Sequence, residues 1–299
     1  MSTSCFTVLS WNLFKWKGVT VHDWPTERQK GMHATISSLL PDIICTQETS
    51  PEYLDTILDC HESYKCILPD DNNMKSNLSV TDPVRSEAFH ARHLRYRRAN
   101  DPNSETFHGW LDEGNIIWRS DRFDYISHGA IDVGIEEAEP RKPKRRLFYV
   151  WLKQQGSGKI LLVSTAHLTW EGGSGKEQIP PHFTNERCRQ ALNVVASLKQ
   201  LSEDGCVIFC GDMNDSWHVP FIMRDNGFMP YDFQLNLPCE ITHPAHPCFH
   251  EERIPPQTRD WIFSKNVKPI LGRVCGNMIL GLSRHPSDHF PVFCVFQSP

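Results

Sequence analysis

Short apolar runs recur along the chain and are separated by polar, Gly-containing or Pro-containing stretches. The runs are rich in Val, Ile, Phe and Trp, a composition that predicts β-strands. Some of them, such as CVIFC, are apolar at every position, as strands buried on both faces are. The predicted strands lie at 6–11, 42–48, 115–119, 146–152, 159–168, 206–210, 260–263 and 290–296.

Apolar residues at helical spacing predict three helices. The first covers 26–40, and a short one follows Pro51. The clearest covers 182–201, with apolar positions at Ala191, Val194, Val195 and Leu198. Residues 70–110 are polar and irregular. Strands and helices alternate early, and strands cluster in the middle and at the end, which favours two stacked sheets with outer helices over one parallel sheet.

A polar residue suited to catalysis stands at one end of most predicted strands. Alone, each is a weak signal, because a lone histidine at a strand end is more often structural. Together they supply carboxylates for a hard cation, two histidines, and amides that can orient a phosphate. These residues are Asn12, Glu48, His167, Asp212, Asn214, Asp260, Asp288 and His289.

The run CVIFC ends on GDMN, where Asp212 and Asn214 are two residues apart. On an extended chain, side chains at this spacing share one face, so the carboxylate and the amide are expected to point together from a sheet edge. The alternative is a turn, because Gly-Asp and Asn-Asp pairs are common turn formers.

Bulk composition is that of an ordinary globular protein. The chain has 299 residues, of which 39% are hydrophobic and 22% charged, and no linker or repeat divides it. We therefore expect a single domain over 1–299, and we also expect the protein to be a monomer. The net charge of -5 provides no overall basic field, so an anionic partner must be held by local patches.

The eleven cysteines have no paired spacing, and several lie in apolar runs. This favours free thiols in a reducing compartment, and it argues against a zinc site because no second pair matches Cys206 and Cys210. The chain shows no secretory signal and no apolar run long enough to span a bilayer. We expect an intracellular protein, cytoplasmic or nuclear, that is not bound to a membrane.

The motifs SWN, QE, STAHL, GDMN, RDWIF and SDHFPV occur in an order that resembles the endonuclease/exonuclease/phosphatase (DNase I-like) superfamily. The resemblance spans residues 10–292, nearly the whole chain. It implies an α/β fold, a four-layer α/β/β/α sandwich with the site at one edge of the paired sheets. It also implies a hydrolase that cleaves a phosphoester with a divalent metal.

On this resemblance, Glu48 matches the metal-binding glutamate of the family. Asn12 matches a residue that orients the metal shell or the phosphate, and Asp288 matches a second metal-side carboxylate found in some members. A hard carboxylate with few protein ligands suits Mg²⁺, with Mn²⁺ as the alternative. The number of metal ions at work stays open.

The same resemblance assigns the catalytic roles. Asp212 matches the residue that orients or deprotonates the attacking water, and Asn214 matches a residue that orients the phosphate. His167 and His289 match the pair that stabilises charge on phosphate oxygens. Asp260 matches the carboxylate that pairs with the last histidine and favours its imidazolium form.

A further acidic residue often supports the first histidine in this family. Glu113 is the candidate, with Glu105 and Glu87 as rivals. For all three, the alternative is a solvated loop glutamate.

Local charge and exposed aromatics suggest the substrate. Residues 85–98 carry five arginines, of which Arg95, Arg97 and Arg98 are close together, and 141–146 adds five more cations. In a chain with phosphoesterase motifs, such blocks favour contact with nucleic acid, although blocks of this kind are often merely solvated. Trp170 and Trp217 follow site motifs and can stack on bases, or they can pack against neighbouring loops.

Differences among the branches of the superfamily narrow the choice. Inositol phosphatases usually carry Trp-Cys-Asp-Arg where this chain has Thr-Arg-Asp-Trp. The pattern is closest to intracellular deadenylases and nocturnin-like nucleases, which predicts cleavage of RNA or DNA by activated water. The alternatives are a small-molecule or lipid/inositol phosphatase, a tyrosyl-DNA phosphodiesterase, or an inactive scaffold that binds phosphate ligands.

Overall fold

In a computed structural model, the described residues are 5–14, 24–49, 51–69, 78–81, 113–134, 145–170, 181–244, 256–276 and 285–298. They form two mixed sheets, seven-stranded and six-stranded, flanked by helices. The strands are β1 (Cys5–Asn12), β2 (Ile43–Gln47), β3 (Tyr64–Pro69), β4 (Leu78–Thr81), β5 (Asn115–Arg119), β6 (Phe123–Asp132), β7 (Arg146–Gln154), β8 (Ile160–His167), β9 (Cys206–Asp212), β10 (Met229–Pro230), β11 (Asp260–Lys265), β12 (Pro269–Val274) and β13 (Val292–Gln297). The helices are α1 (Trp24–Leu39), α2 (Pro51–Leu58), α3 (Pro181–Leu201), α4 (His218–Asp225) and α5 (Tyr231–Leu235).

Sheet one has the strand order β12-β13-β1-β2-β5-β3-β4, and sheet two has the order β10-β11-β9-β8-β7-β6. Each sheet contains one parallel pair, β1 with β2 and β8 with β9, beside antiparallel neighbours. In both parallel pairs the two strands end together, so the residues that follow them lie at one edge of each sheet.

Strand alternation assigns the apolar side chains to two cores. In β9, Ile208 and Cys210 join the core that also contains residues of sheet one, whereas Val207 and Phe209 join the core that contains α3. The first core also takes in apolar residues of α1 and α2, and the second takes in those of α4. The predicted α/β/β/α sandwich is confirmed.

Every strand and helix predicted from the sequence is present, with ends that differ by a few residues. The predicted buried positions of α3 (Ala191, Val194, Val195 and Leu198) are all buried. Five elements went unpredicted besides the short α4 and α5: β3, β4, β6, β10 and β12. β6 has the sequence FDYISHGAID and is mostly exposed, so it lacks the apolar run by which a buried strand is recognised.

The ten cysteines in the described part of the chain are all free, as expected; Cys248 lies outside it. No helix in the described ranges is both long and apolar enough to cross a membrane.

Candidate active site

Three predicted site residues form a row across sheet two. His167 on β8 is the register partner of Asp212 on the parallel strand β9. On the other side of β9, Asp260 at the start of β11 is also paired with Asp212. The hydrogen-bond ladder of the sheet therefore sets the spacing of this row.

Sheet one brings an amide and a carboxylate to the same place. Asn12 ends β1 beside Gln47, the last residue of β2, and Glu48 follows. The Asn12 Nδ2 group donates to Glu48 Oε1 at 3.1 Å and to Asp212 Oδ2 at 2.9 Å. The buried Asn12 amide therefore connects residues of both sheets at the site.

Asp212 and Asn214 converge through a turn and not along an extended strand. β9 ends at Asp212, and Asn214 has a φ of 48°, in the left-handed region that Asn tolerates. The Asn214 N–H donates to Asp212 Oδ1 at 2.8 Å, and its side-chain Nδ2 donates to the Leu168 carbonyl at 3.0 Å. GDMN is thus a turn, and the turn itself aims the Asp212 carboxylate.

His289 is held as an imidazolium by the carboxylates around it. Its Nδ1 donates to Asp260 Oδ2 at 2.7 Å, and its Nε2 lies 3.7 Å from Asp212 Oδ2 and 3.8 Å from Asp288 Oδ1. Burial lowers the pKa of His289, but Asp260, Asp288 and Asp212 outweigh it and raise the pKa to about 10. His289 therefore carries a positive charge at neutral pH.

The pKa of His167 is shifted in the opposite direction to that of His289. Burial and the nearby Arg145 lower its pKa to about 3, so the ring is neutral at physiological pH. Its Nε2 lies 3.6 Å from Asp212 Oδ2 and 4.0 Å from Glu48 Oε1. The two histidines of the site therefore differ in charge.

Glu48 is in a region where negative charge accumulates. Burial raises its pKa, Asp288 and Asp212 raise it further, and the balance with Asn12 and His289 brings it to about 7. Glu48 also has a φ of 50°, a conformation that costs energy for a residue other than Gly or Asn. Divalent cations such as Mg²⁺ bind hard oxygen donors, and a cation would relieve the repulsion between these carboxylates. Asp288 and Glu48, the latter oriented by Asn12, could therefore hold one. Two buried groups, Asp212–Asp260–His289 and His243–Asp288–His289, also have metal-ligand spacing.

The assignment of Glu113 as the acidic residue that supports His167 stays a prediction. Glu113 is buried and accepts from Arg145 Nη1 at 3.5 Å, so it lies close to the cation that affects His167. Glu87 and Glu105 lie outside the described residues, as do Arg95, Arg97 and Arg98.

Both predicted aromatic residues are on the surface. Trp170 follows the β8 end, and Trp217 is 71% exposed just before α4. Trp217 lines a cavity of about 650 Å³ that is also bordered by Asn214, Phe221, Arg224 and Phe233. The Arg224 guanidinium lies over the rings of Phe221 and Phe233, 4.4 and 5.4 Å from their centroids. This aromatic groove therefore borders the site at Asn214.

Sequence reasoning missed three residues that support the site. Thr242 Oγ1 accepts the backbone N–H groups of Arg259 and Asp260, and Arg259 Nη1 donates to Asn214 Oδ1 at 3.3 Å. His243 packs edge-on against His289, with ring centroids 4.7 Å apart. Arg259 lies within the motif RDWIF and was given no role. Thr242 and His243 follow no predicted strand, so their sequence context carried no signal.

The chain is similar to a known protein family in sequence and to several solved structures in fold. A profile of the Endonuclease/Exonuclease/phosphatase family matches residues 10–289. No curated protein sequence matches significantly.

Several solved structures share the fold over almost their full length. D. rerio TDP2 complexed with a single-strand DNA product has a TM-score of 0.66 at 19% identity and covers 99% of this chain and 100% of its own. The Bacteroides thetaiotaomicron mannosyl-6-phosphatase Bt3783 has a TM-score of 0.66 at 17% identity, with 97% and 99% covered. The human nocturnin catalytic domain with bound sulfate has a TM-score of 0.64 at 17% identity, with 98% and 94% covered.

Proposed function

Because this chain belongs to the Endonuclease/Exonuclease/phosphatase family, whose members hydrolyse phosphoester bonds, we propose that it is a divalent-metal-dependent phosphodiesterase acting on RNA or DNA. The proposed reaction is attack of an activated water on a phosphodiester, carried out by one catalytic domain over 1–299. Mg²⁺ is the proposed cation, with Mn²⁺ as the alternative.

The observation that carries the proposal is the environment of one oxygen atom. Asp212 Oδ2 accepts from Asn12 Nδ2 at 2.9 Å and has the Nε2 atoms of His167 and His289 at 3.6 and 3.7 Å. Burial alone would raise the pKa of Asp212, but His289, His167 and Arg259 outweigh it and bring the pKa to about 2. A fixed carboxylate that stays ionised, between neutral and charged imidazoles, is equipped to orient a water molecule for attack on phosphorus.

The surrounding residues stabilise charge as it develops. The His289 imidazolium, held by Asp260, can stabilise negative charge on the phosphoryl oxygens. His167 is neutral and can donate one hydrogen bond to the same group. Glu48 and Asp288 would hold the cation, which supplies Lewis-acid polarisation of a phosphoryl oxygen when bound.

The aromatic groove favours a polynucleotide substrate. The rings of Trp217, Phe221 and Phe233 line the same cavity as Asn214, and exposed rings beside a phosphate site can stack on bases. The similar D. rerio TDP2 structure contains a single-strand DNA product.

A small phosphomonoester is the second candidate substrate. The mannosyl-6-phosphatase structure matches this chain with the same TM-score as the DNA complex, 0.66 in both cases. A substrate of that size would need the site but not the groove.

A substrate panel with Mg²⁺ or Mn²⁺ tests the proposal. It contains poly(A), single-stranded DNA, abasic duplex, 5′-tyrosyl DNA, inositol phosphates, sphingomyelin and a sugar phosphate. We expect turnover of a polynucleotide that EDTA abolishes. Trp217→Ala should raise KM for that substrate by an amount equivalent to about 1–3 kcal/mol, the usual contribution of one stacked base.

Tyr125→Ala is the matched control, because Tyr125 is an exposed ring on β6, in sheet two, outside the groove. Turnover of the sugar phosphate alone would favour the second candidate. Absence of turnover over the whole panel would favour a binding scaffold.

A further inference from the structure

His243 is a buried histidine beside the metal-side carboxylate, and its backbone is already fixed without help from its ring. The residue is 3% exposed and forms an isolated bridge with Gln257, through two backbone hydrogen bonds of 2.9 Å. The neighbouring Thr242 side chain ties this segment to the start of β11. Backbone and threonine therefore secure the segment, and the imidazole of His243 is available for another role.

The ring of His243 is placed against both residues of the Asp288-His289 pair. It meets the His289 ring edge-on, at an interplanar angle of 74° and a centroid distance of 4.7 Å. Its Nε2 lies 3.7 Å from Asp288 Oδ2. The other oxygen, Asp288 Oδ1, faces His289 Nε2 at 3.8 Å and Ser287 Oγ at 3.5 Å. Each carboxylate oxygen of Asp288 thus faces a different imidazole.

A purely structural histidine is expected to use both ring nitrogens when it is buried. In His243 the Nδ1 atom is buried and has no hydrogen-bond partner among the residues that the structure describes. Leaving a polar atom in this state costs stability, so this nitrogen does not strengthen the fold. The rest of the ring faces Asp288 and His289.

We propose that His243 is a positioning residue that orients the Asp288 carboxylate toward the divalent cation and limits rotation of the His289 ring. The proposal rests on the proposed function, because it requires that the site bind a cation. Outer partners of this kind fix the orientation of a metal-binding carboxylate, and their loss typically weakens metal affinity by roughly 10–100-fold. The expected effect is therefore on metal binding first and on turnover through it.

Two substitutions separate the contributions of the ring. His243→Phe keeps the edge-on packing against His289 but removes both nitrogens. His243→Gln loses the aromatic contact but keeps an amide donor that can reach Asp288. His285→Phe is the matched control, because His285 lies on the same segment as Asp288 and packs on Phe290, with centroids 4.5 Å apart.

The readout is calorimetric titration of the full chain with Mg²⁺ alone, together with the Mg²⁺ concentration for half-maximal turnover. We expect His243→Phe to weaken Mg²⁺ binding by roughly 10-fold or more, His243→Gln to restore most of it, and His285→Phe to leave it unchanged. KM for substrate at saturating Mg²⁺ should not change. If His243→Phe does not fold, His243→Asn replaces it, because Asn is too short to reach Asp288.

The outcomes distinguish the two proposals. Wild-type binding of Mg²⁺ with equal affinity in His243→Phe overturns the role of His243 and leaves the proposed function intact. The same holds if only His243→Gln is weakened, because the loss is then one of packing against His289. Failure of the wild-type chain to bind any divalent cation overturns both.

Discussion

Asp212 and Glu48 are both carboxylates of the site, yet their surroundings affect them in opposite directions. Asp212 has His289, His167 and Arg259 around it, and its pKa is lowered to about 2. Burial of Glu48 and the nearby negative charge of Asp288 raise its pKa to about 7. Ionisation of Asp212 therefore stabilises the metal-free protein, whereas ionisation of Glu48 destabilises it.

Asp212→Asn should reduce turnover by roughly 10²–10⁴-fold, the range for a positioned group that handles a proton. Repulsion among neighbouring carboxylates, taken alone, would make this variant more stable than the wild type. The structure reverses that sign, because the lowered pKa means that the charge contributes about 2 kcal/mol above pH 4, and that this is lost as pH falls through 2. Melting temperature at pH 7 tests it, with the exposed Asp225→Asn as control. A more stable Asp212→Asn protein would show that repulsion dominates.

Glu48→Gln should raise the melting temperature of the metal-free protein at pH 8 but not at pH 4.5. A raised folded pKa gives stability that is complete below the ordinary value and is lost as pH rises through about 7. The shift corresponds to about 3 kcal/mol. Melting in EDTA across this pH range measures it, and the Mg²⁺ requirement of the variant should rise. Equal melting curves at both pH values would place the repulsion elsewhere.

Among the strand residues, Gly211 allows β9 to lie close enough to β8 for Asp212 to reach the site. Its φ is 151°, and a Cβ at this position would collide with the main-chain oxygen of Ala166 on β8. The two backbones approach closely at the point where His167 and Asp212 are paired. Only glycine fits such an approach without moving one strand.

Gly211→Ala should destabilise the protein by roughly 3–5 kcal/mol, from overpacking and backbone strain together. Gly227→Ala is the matched control, because Gly227 also has a positive φ, 88°, but has open space around it. Its cost should be only about 1–2 kcal/mol, the penalty for an L-residue in the left-handed region. Urea unfolding measures both, and turnover of Gly211→Ala should fall as the row of site residues shifts. Equal costs for the two variants would argue against the close approach.

The sequence could predict the strands that carry the site, because those strands are apolar on both faces and end on charged or amide residues. Residues such as His167 and Asp212 could therefore be assigned to one site in advance, whereas His289 was assigned through the family resemblance. Edge strands such as β6 could not be predicted, because their exposed positions follow no apolar pattern. Nor could His243, whose place beside His289 depends on a bridge to Gln257 that no local pattern indicates.

For the molecule as a whole, the net charge has the same sign as the proposed polynucleotide substrate. The net charge is -5, so a polynucleotide must be held by local cations. The arginines of 85–98 lie outside the described residues, and their contribution to affinity stays a prediction.

Neutralising Arg95, Arg97 and Arg98 should raise KM for a polynucleotide more than it lowers turnover. Each lost single-strand phosphate contact reduces the slope of log KM against log salt by about 0.7, so three contacts account for about 2. Kinetics over a salt series measure this, with Lys153→Gln and Lys159→Gln as controls at the end of sheet two away from His167. Lower turnover with an unchanged slope would contradict a binding role.

The two sheets each hold only half of the site. Asn12 and Glu48 come from one sheet and His167, Asp212 and Asp260 from the other, and the Asn12–Asp212 bond spans the gap between them. Pressure or dilute urea would loosen the apolar core between the sheets before it broke the hydrogen bonds within each sheet. A cavity-forming substitution in this core, such as Ile208→Ala, would act in the same way. Turnover therefore depends on the distance between the two sheets. The protein can lose its activity while it still has its full secondary structure.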